Sequence, residues 1–462
     1  MTLFDDASSA APIMAASTAV QRSAWLNAVA DALDAAAPEL IAIADSESHL
    51  GVTRLTGEVA RTTGQLRLFA EVITEGSYLE AVVDHASAAP PRPDIRRMLR
   101  PLGPVAVFSA SNFPFAFSVA GGDTASALAV GCPVIVKAHP GHAELSRATA
   151  GIVTEALRAA GAPVGAFALV EGYEEGIALV QHPVITAVAF TGSVAGGRAL
   201  YDLAAARPAP IPFYGELGSI NPVVVTPAAD AARGEELAAG LLASFTLGVG
   251  QYCTKPGVVF VPSGSQLERS LAVPDGGRPP MLTDSITSGF VSGVERLLSI
   301  DGVELISGSS EGPLVVAASL ATVESHSEEL LAEVFGPVTV LVRYDSDDRL
   351  LATLDGLEGS LTATLHAEES DTTAAVVARL ERLAGRVLFA GWPTGVAVTW
   401  SQHHGGPWPS TTSQFTSVGA TAVRRFLRPI AYQDAPESAL PKALRESNPL
   451  GIPRRVDGVL QV

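Results

Sequence analysis

The sequence predicts an α/β protein with two parallel-sheet domains of similar size and an extension. Its 462 residues are too many for one ordinary hydrophobic core. A hydrophobic content of 47% with only 17% charged residues indicates a large, well-buried globular protein. Short apolar strands alternate with helical stretches from about residue 105 onward, which is typical of parallel β-α-β units. In such units ligands bind at the carboxyl ends of the strands.

The order of the elements follows from the periodicity of the apolar residues. Residues 19–48 and 55–83 are predicted to be helical, and a loop with Pro90, Pro91 and Pro93 follows them. The first buried strand is Val105–Phe108. Further strands are predicted at 133–137, 166–170 and 187–191, and helices at 143–160, 173–181 and 195–206. A second strand-helix series runs from Asn221 to about residue 420, and a strand-like, arginine-bearing tail begins at Ala422.

Charge and cysteine content exclude several classes of protein. The formal net charge of −18 argues against nucleic acid or an anionic membrane as a partner, so an anionic ligand must meet local arginines or helix N-termini. Cys132 and Cys253 are too few and too far apart for a disulfide framework or a resident zinc site, so we expect reduced thiols and no metal cofactor. Asp5 and Asp6 lie where a secretion signal would be basic, and the apolar stretch Ala125–Val136 is too short to span a bilayer. We expect a soluble, cytoplasmic protein.

Two segments carry candidate catalytic groups. Cys253 lies in GVGQYCTKPG, a polar loop bounded by glycines, where a thiolate could act as a nucleophile. The commoner alternative is a buried structural cysteine, and we assign Cys132 to that role. Glu216, in GELGSINP, has no adjacent cation in the sequence, and burial would raise its pKa and suit it to act as a base toward water. Taken alone, it would be interpreted as a solvated turn residue.

Two further polar residues follow predicted strands. The Asn112 side chain can donate a hydrogen bond to a developing oxyanion, although Asn-Phe-Pro is also a turn signal. Lys137 ends the next strand and can reach a phosphate or a ribose, although a strand-end lysine is usually solvated.

Two loops are candidates for a nucleotide site. Gly192 and Ser193 lie in FTGSVAGGRAL, at a strand-to-helix turn whose N–H groups suit a pyrophosphate. This turn lacks the usual six-residue glycine fingerprint, so its spacing alone is a weak signal. Glu333 and Phe335, in AEVFGPV, would otherwise be interpreted as part of an ordinary loop.

Together and in this order, these segments resemble the aldehyde dehydrogenase superfamily from about residue 19 to the C-terminus. The resemblance implies that Cys253 is the nucleophile and Glu216 the general base, and that Asn112 forms an oxyanion hole with the Cys253 backbone N–H. It implies NAD(P)-dependent oxidation of an aldehyde to a carboxylic acid through a cysteine thioester. Relatives that transfer the acyl group to coenzyme A commonly lack a glutamate at the position of Glu216, so the resemblance implies release of the free acid.

The resemblance also implies cofactor contacts and a domain plan. Lys137 matches the adenine-ribose contact, Ser193 with Gly192 the pyrophosphate contact, and Glu333 the nicotinamide-ribose contact, with Phe335 nearby. The implied domains are nucleotide-binding (1–95 and 104–217), catalytic (218–420), an oligomerisation arm (96–103 and 422–434) and a C-terminal tail (435–462). A homodimer or homotetramer is expected.

Other segments resemble one subgroup, the α-ketoglutaric semialdehyde dehydrogenases and related NADP-dependent enzymes. They include GEVARTTGQLRLF (57–69), KAHP (137–140) and HHGGPWPSTT (403–412). The expected reaction is oxidation of α-ketoglutaric semialdehyde to 2-oxoglutarate. The alternatives are a fatty or general aldehyde dehydrogenase and, in another class, a degenerate nucleotide-binding or structural relative. The last is suggested by apparently missing N-terminal strands and a shortened segment 263–282.

The subgroup's substrate carries a carboxylate that needs a cation in this acidic protein. Arg61 is the main candidate, with Gln65 one helical turn on and Arg67 in reserve. The alternative for Arg61 is a simple surface pair with Glu58.

The residue three positions after Lys137 bears on the choice of cofactor. NAD-preferring members of the superfamily usually carry a glutamate there, which repels the 2′-phosphate of NADP, but this chain has Pro140. Lys137, and His139 if protonated, would attract that phosphate. We therefore expect NADP to be favoured and NAD to be accepted. The alternative is that Pro140 merely starts the following turn, and this is compatible with the same outcome.

Overall fold

Three sheets organise the chain: a parallel sheet of five strands, a sheet of seven strands that is parallel except for its antiparallel edge strand Glu304–Gly308, and a mixed sheet of five strands. The computed structural model describes residues 2–274, 276–393 and 395–462. Sheets of five and seven strands alternate with helices, which confirms the predicted α/β class. No helix among the described residues is both long and apolar enough to cross a membrane.

The helices and strands have the following bounds in the described residues. The α-helices are Leu3–Ala16, Ala19–Ser48, Val52–Glu75, Gly122–Val130, Ala143–Ala159, Tyr173–Gln181, Val194–Ala205, Pro227–Thr246, Gln266–Ser270, Asp284–Leu298, Leu320–Ser325, Ser327–Leu330, Asp347–Asp355 and Ala374–Leu383. The strands are Val82–Asp84, Ser87–Ala88, Pro91–Arg92, Ile95–Pro101, Val105–Phe108, Val134–Lys137, Phe167–Val170, Ala187–Thr191, Phe213–Glu216, Val223–Val225, Val258–Pro262, Glu304–Gly308, Leu314–Ser319, Val338–Tyr344, Ser360–His366, Ala384–Phe389, Leu427–Gln433, Arg454–Val456 and Val459–Gln461.

The first parallel sheet has a topological switch point at its centre. Its strand order is Phe167–Val170, Val134–Lys137, Val105–Phe108, Ala187–Thr191 and Phe213–Glu216. Because the chain winds outward from the central strand in one direction and then returns to its other side, a crevice opens at the carboxyl ends of the strands. The sheet therefore directs Asn112, Ser193 and Glu216 toward one place.

The second sheet presents the opposite ends of its strands to that crevice. The Cys253 loop precedes the strand Val258–Pro262, because the helix Pro227–Thr246 has carried the chain back to the amino ends. The expectation that ligands lie at carboxyl ends thus holds for the first sheet only. Alternate residues face the two sides of this sheet, with Val258 and Phe260 in one core and Val259 and Val261 in the other.

The third sheet contains more strands than the two segments that were predicted to form an arm. Ile95–Pro101 pairs antiparallel with Leu427–Gln433, as that prediction requires. The sheet also includes Val82–Asp84 and two strands of the tail, Arg454–Val456 and Val459–Gln461. The division into domains and the role of this sheet in assembly stay predictions.

The helices before residue 83 differ from the sequence prediction in two ways. The helix predicted over 55–83 is Val52–Glu75, because Gly76 adopts a φ of 90° and packs so closely on Ile452 that a Cβ would collide with it. The helix Leu3–Ala16 was not predicted, and it begins with a capping box in which Thr2 and Asp5 bond each other's backbone N–H.

Candidate active site

Cys253 lies on a loop that is fixed from two sides. Gly250 has a φ of 66° and lies so close to the backbone of Gly336 that no side chain fits there. From the other side, the Asn221 amide nitrogen donates to the carbonyls of Cys253 (2.8 Å) and Lys255 (2.9 Å). The nucleophile predicted from the sequence is therefore held in one position.

A thiol, an imidazole and a carboxylate converge at this loop. The Cys253 Sγ lies 3.6 Å from His404 Nε2, which is 2.9 Å from Glu216 Oε1. Ser417 donates its hydroxyl to the other carboxylate oxygen at 2.6 Å. Glu216 is 3% exposed and His404 is fully buried, so these interactions are little weakened by solvent.

His404 reaches this position because the segment 404–417 runs along the end of the strand Phe213–Glu216. Thr411 forms an antiparallel bridge with Glu216, and Leu217 donates its N–H to the carbonyl of Ser410 at 2.8 Å. The His404 N–H donates to Thr416 Oγ1 at 2.8 Å. The backbone of this segment thus determines which side chain meets the carboxylate.

The electrostatics of Glu216 differ from the sequence prediction. Burial raises the pKa of Glu216, but the charge and hydrogen bond of His404, with hydrogen bonds from Ser417 and Cys253, lower it below the ordinary value. The expectation of a raised pKa with no partner was wrong, because His404 is 188 residues away in the chain. Glu216 is thus ionised and ready to accept a proton.

The pKa of Cys253 is shifted in the opposite direction. Burial raises its pKa well above the ordinary value, the Glu216 carboxylate raises it further, and Arg61 opposes both effects. The resting nucleophile is therefore a neutral thiol that shares its proton with the carboxylate.

Asn112 lies beside the nucleophile loop. The Asn112 Nδ2 donates to the backbone carbonyl of Gln251 at 3.1 Å. The backbone carbonyl of Asn112 accepts a hydrogen bond from Arg54 Nη2 at 2.6 Å. An amide nitrogen has two hydrogens, so one remains for an oxyanion.

A cleft of about 870 Å³ joins the thiol to the predicted nucleotide residues. Ser193 caps the helix Val194–Ala205 by accepting the Gly196 N–H at 3.2 Å, so the N-terminus of this helix opens into the cleft. The predicted site residues that line it are Asn112, His139, Pro140, Gly192, Ser193, Glu216, Cys253, Glu333 and Phe335. Its size and the helix N-terminus fit a dinucleotide.

The two predicted cations at the adenosine end are less exposed than expected. Burial lowers the pKa of His139 to about 3, and its Nδ1 accepts the Gly141 N–H at 3.0 Å. The suggestion that a protonated His139 attracts a phosphate was therefore wrong. Lys137 is half-buried; burial lowers its pKa, and Glu171 and Glu175 oppose that shift. Pro140 starts a short 3-10 helix.

Glu333 lines the cleft, its charge acts on Cys253, and its segment is tied to the nucleophile loop through Lys255. The Glu333 carboxylate is open to the cleft. The surrounding protein atoms raise its pKa, and the positive charge of Lys255 opposes this increase. The buried Lys255 donates to the carbonyls of Val334 (2.9 Å) and Val338 (2.8 Å). Lys255 thus joins the loop of the thiol to the segment of Glu333 and Phe335.

Of the three predicted substrate contacts, only Arg61 is near the thiol. Its guanidinium lies over the rings of Phe113 (5.5 Å) and Phe117 (5.2 Å), and its Nε and Nη2 have no hydrogen-bond partner within the described ranges. The alternative of a surface pair with Glu58 is wrong, since Glu58 is buried and accepts the backbone N–H groups of residues 115 and 116.

Gln65 and Arg67 have other neighbours. Gln65 is buried with its amide against Gly122, and its assignment to the substrate stays a prediction. Arg67 pairs on the surface with Asp31 (2.7 Å) and Asp34 (2.8 Å) and cannot serve as a reserve.

Sequence reasoning missed several residues of the site. Besides His404 and Lys255, it missed Arg54 and Arg386, whose guanidinium groups each have two nitrogens without a partner in the described part of the chain. The motif HHGGPWPSTT did single out the region of His404, but only as part of a resemblance.

Comparison with known proteins agrees with this geometry. The profile of the aldehyde dehydrogenase family matches residues 2–269. An α-ketoglutaric semialdehyde dehydrogenase 2 from Azospirillum brasilense is 48% identical over 95% of this chain and 87% of its own length. An α-ketoglutaric semialdehyde dehydrogenase from Acinetobacter baylyi is 43% identical over 96% of this chain and 88% of its own length.

Solved structures show the same fold. Aldehyde dehydrogenase 21 from Physcomitrella patens, solved with succinate, has a TM-score of 0.76 at 23% identity and is matched over 93% of this chain and 89% of its own. An NADP-dependent enzyme from E. coli has a TM-score of 0.77 at 22% identity, with the same two coverages. With a thiol, a carboxylate and a dinucleotide-sized cleft in one place, this chain belongs to the aldehyde dehydrogenase family and oxidises an aldehyde to a carboxylic acid with NAD(P).

Proposed function

We propose that this enzyme oxidises α-ketoglutaric semialdehyde to 2-oxoglutarate, with Cys253 as nucleophile and Glu216 as base. The observation that carries the proposal is the guanidinium of Arg61, which lies over the Phe113 ring, interacts with the charge of Cys253, and has two nitrogens without a hydrogen-bond partner in the described part of the chain. Two relatives with 48% and 43% identity bear the name of this activity.

The first half of the reaction uses the shared proton of the thiol. Glu216 accepts the proton of Cys253, and the thiolate attacks the aldehyde carbon. The free hydrogen of Asn112 Nδ2 and the Cys253 N–H stabilise the resulting oxyanion. A bound nicotinamide cofactor would supply the acceptor for the hydride of the former aldehyde carbon, which would leave a thioester on Cys253.

The second half releases the acid. Glu216 first releases to solvent in the cleft the proton that it took from Cys253. The ionised carboxylate then takes a proton from water, whose oxygen attacks the thioester carbon and displaces the Cys253 sulfur, and this proton passes to the sulfur. His404 and Ser417 keep the carboxylate ionised and oriented for this step. One buried carboxylate, Glu216, thus accepts the proton in both halves of the reaction.

The cofactor residues are assigned on the same grounds. Gly192 and Ser193 would hold the pyrophosphate at the helix N-terminus, and Glu333 with Phe335 the nicotinamide end. Lys137 is not among the residues that line the cleft, so its assignment to the adenosine ribose rests on its place two residues before His139, which does line it. NADP is favoured over NAD because Pro140 brings no carboxylate to the cleft. Without a charge on His139, Lys137 is the proposed cation for the 2′-phosphate.

Arg61→Ala tests the substrate assignment, with Arg67→Ala as the matched control on the same helix. Losing a charge-assisted pair of about 1.5–3 kcal/mol should raise the KM for the semialdehyde roughly 10- to 150-fold. The KM for pentanal, which has the chain length but no carboxylate, should be unchanged. An unchanged KM for the semialdehyde would place the carboxylate elsewhere, and equal efficiency on a long aliphatic aldehyde would favour a fatty aldehyde dehydrogenase.

The mixed sheet is the proposed site of assembly into a homodimer or homotetramer. Leu427–Gln433 lies at the edge of that sheet, so no strand of the described residues pairs with its outer side. Light scattering at micromolar concentration tests this, and a monomer would contradict it.

A further inference from the structure

The three reactive groups of the active site are also donors of the kinds that bind zinc. Atoms from Glu216, Cys253 and His404 all lie within 4.8 Å of one another. Thiolate, imidazole and carboxylate are the three side-chain ligand types of protein zinc sites. The sequence could not show this cluster, because the three residues are far apart in the chain.

The distances are close to those of a coordinated ion. Bond lengths of about 2.3 Å to sulfur and 2.0 Å to nitrogen place tetrahedral ligands about 3.5 Å apart. The observed distance from Cys253 Sγ to His404 Nε2 is 3.6 Å. The corresponding nitrogen-to-oxygen distance is about 3.3 Å, against the observed 2.9 Å to Glu216 Oε1. At these two contacts, a side-chain shift of a few tenths of an ångström brings the ligands to the spacing of a coordinated ion.

The charge of the cluster also suits a dication. A thiolate and a carboxylate together carry two negative charges, which balance one Zn²⁺ when the imidazole is neutral. Arg61 opposes the ion, but the net charge of −18 attracts cations to the protein. Ser417 binds one oxygen of Glu216 and leaves Oε1 for the metal, which orients the ligand from outside.

We propose that Cys253, His404 and Glu216 form an inhibitory site for zinc-class divalent cations. The ion enters through the cleft, which Cys253 and Glu216 line, and water completes its coordination. A sulfur–metal bond replaces the sulfur–hydrogen bond and the proton passes to solvent, so no oxidation or reduction occurs. The bound ion engages both the nucleophile and the base, so it inhibits reversibly and a chelator restores activity. This is distinct from a resident cofactor, which we do not expect.

The test uses Co²⁺ and Zn²⁺ on full-length Cys132→Ala protein, in which Cys253 is the remaining thiol. One equivalent of Co²⁺ should give a thiolate-to-metal charge-transfer band and the intense visible bands of tetrahedral cobalt, and Zn²⁺ should displace both. Bound Zn²⁺ should also block alkylation of Cys253 by iodoacetamide. Both readouts are independent of turnover.

Variants distinguish a three-ligand site from simple binding to a thiol. Cys253→Ser should abolish the charge-transfer band, and His404→Gln and Glu216→Gln should each weaken Zn²⁺ binding at least about tenfold. His403→Asn, a change in the neighbouring histidine, should leave it unchanged. Circular dichroism and NADP binding check that each variant is folded. Absence of the cobalt bands, or equal Zn²⁺ affinity in the His404 and Glu216 variants, would overturn the proposal without affecting the dehydrogenase assignment.

Discussion

His404 determines the charge state of the catalytic base, and replacing it should shift the pH dependence of turnover. In His404→Leu the Glu216 carboxylate loses the 2.9 Å hydrogen bond and the charge that oppose its burial. Burial then dominates and the pKa of Glu216 rises. Because the ionised carboxylate is the active form, the rate at neutral pH should fall and recover in alkaline solution.

The size of the shift follows from the lost interaction. A hydrogen bond to a charged group contributes about 1.5–3 kcal/mol, and one pKa unit corresponds to about 1.4 kcal/mol. The acid limb of the steady-state rate should therefore move up by about 1–2 pH units. In His404→Gln an amide N–H can still reach the carboxylate, so the limb should lie between those of wild type and the leucine variant.

Stopped-flow measurement of reduced cofactor from pH 5 to 10 separates the two halves of the reaction. His403→Asn is the matched control, because His403 is the adjacent residue and packs against Gly385 and Gly405 rather than Glu216. Its profile should superpose on that of the wild type. If the His404→Leu profile also superposes on the wild-type one, His404 does not set the pKa of Glu216 and the reasoning fails.

Four further changes test other parts of the site and fold. Glu216→Gln removes the acceptor of the Cys253 proton as well as the base toward water, so stopped-flow traces should show a slower burst of reduced cofactor and a steady-state rate lower by about 10²- to 10⁴-fold; an unchanged steady rate would refute the base. Lys255→Met leaves two backbone carbonyls without their donor, which should raise the NADP Kd about tenfold at a cost of about 1–3 kcal/mol, measured by fluorescence titration. Pro140→Glu should move the ratio of kcat/KM values toward NAD, and a ratio that stays the same would remove the electrostatic explanation. Arg425→Met breaks a buried 2.6 Å ion pair with Asp123, so urea unfolding should show a loss of about 3–5 kcal/mol.

Local patterns of apolar residues were sufficient to predict many of the helices and strands of the fold. Val105–Phe108, Ala187–Thr191 and Tyr173–Gln181 are formed as predicted, because each has a continuous apolar or amphipathic pattern. The three-residue strand Val82–Asp84 was missed, since it is defined by pairing with Arg97 and Arg455 and not by its own sequence. Pairings between distant residues leave no periodic signal in either segment.

The positions of the site residues were more predictable than their electrostatics. A strand-end or glycine-bounded motif indicated Asn112, Ser193 and Cys253, and the structure brings all three to one cleft. The sign of the Glu216 pKa shift was missed because its partner, His404, comes from a segment without a local signal of contact. Motifs can locate a side chain, but its protonation state depends on neighbours that only the fold supplies.

The opposite pKa shifts of Glu216 and Cys253 have one cause and one chemical consequence. The ionised carboxylate raises the pKa of the thiol, while His404 lowers that of the carboxylate. A permanently ionised thiolate beside that carboxylate would suffer like-charge repulsion in a buried site. Keeping the proton on sulfur until an aldehyde arrives avoids this repulsion, and the same carboxylate is free to accept the proton when the carbon–sulfur bond forms. The arrangement therefore links formation of the nucleophile to the presence of the substrate.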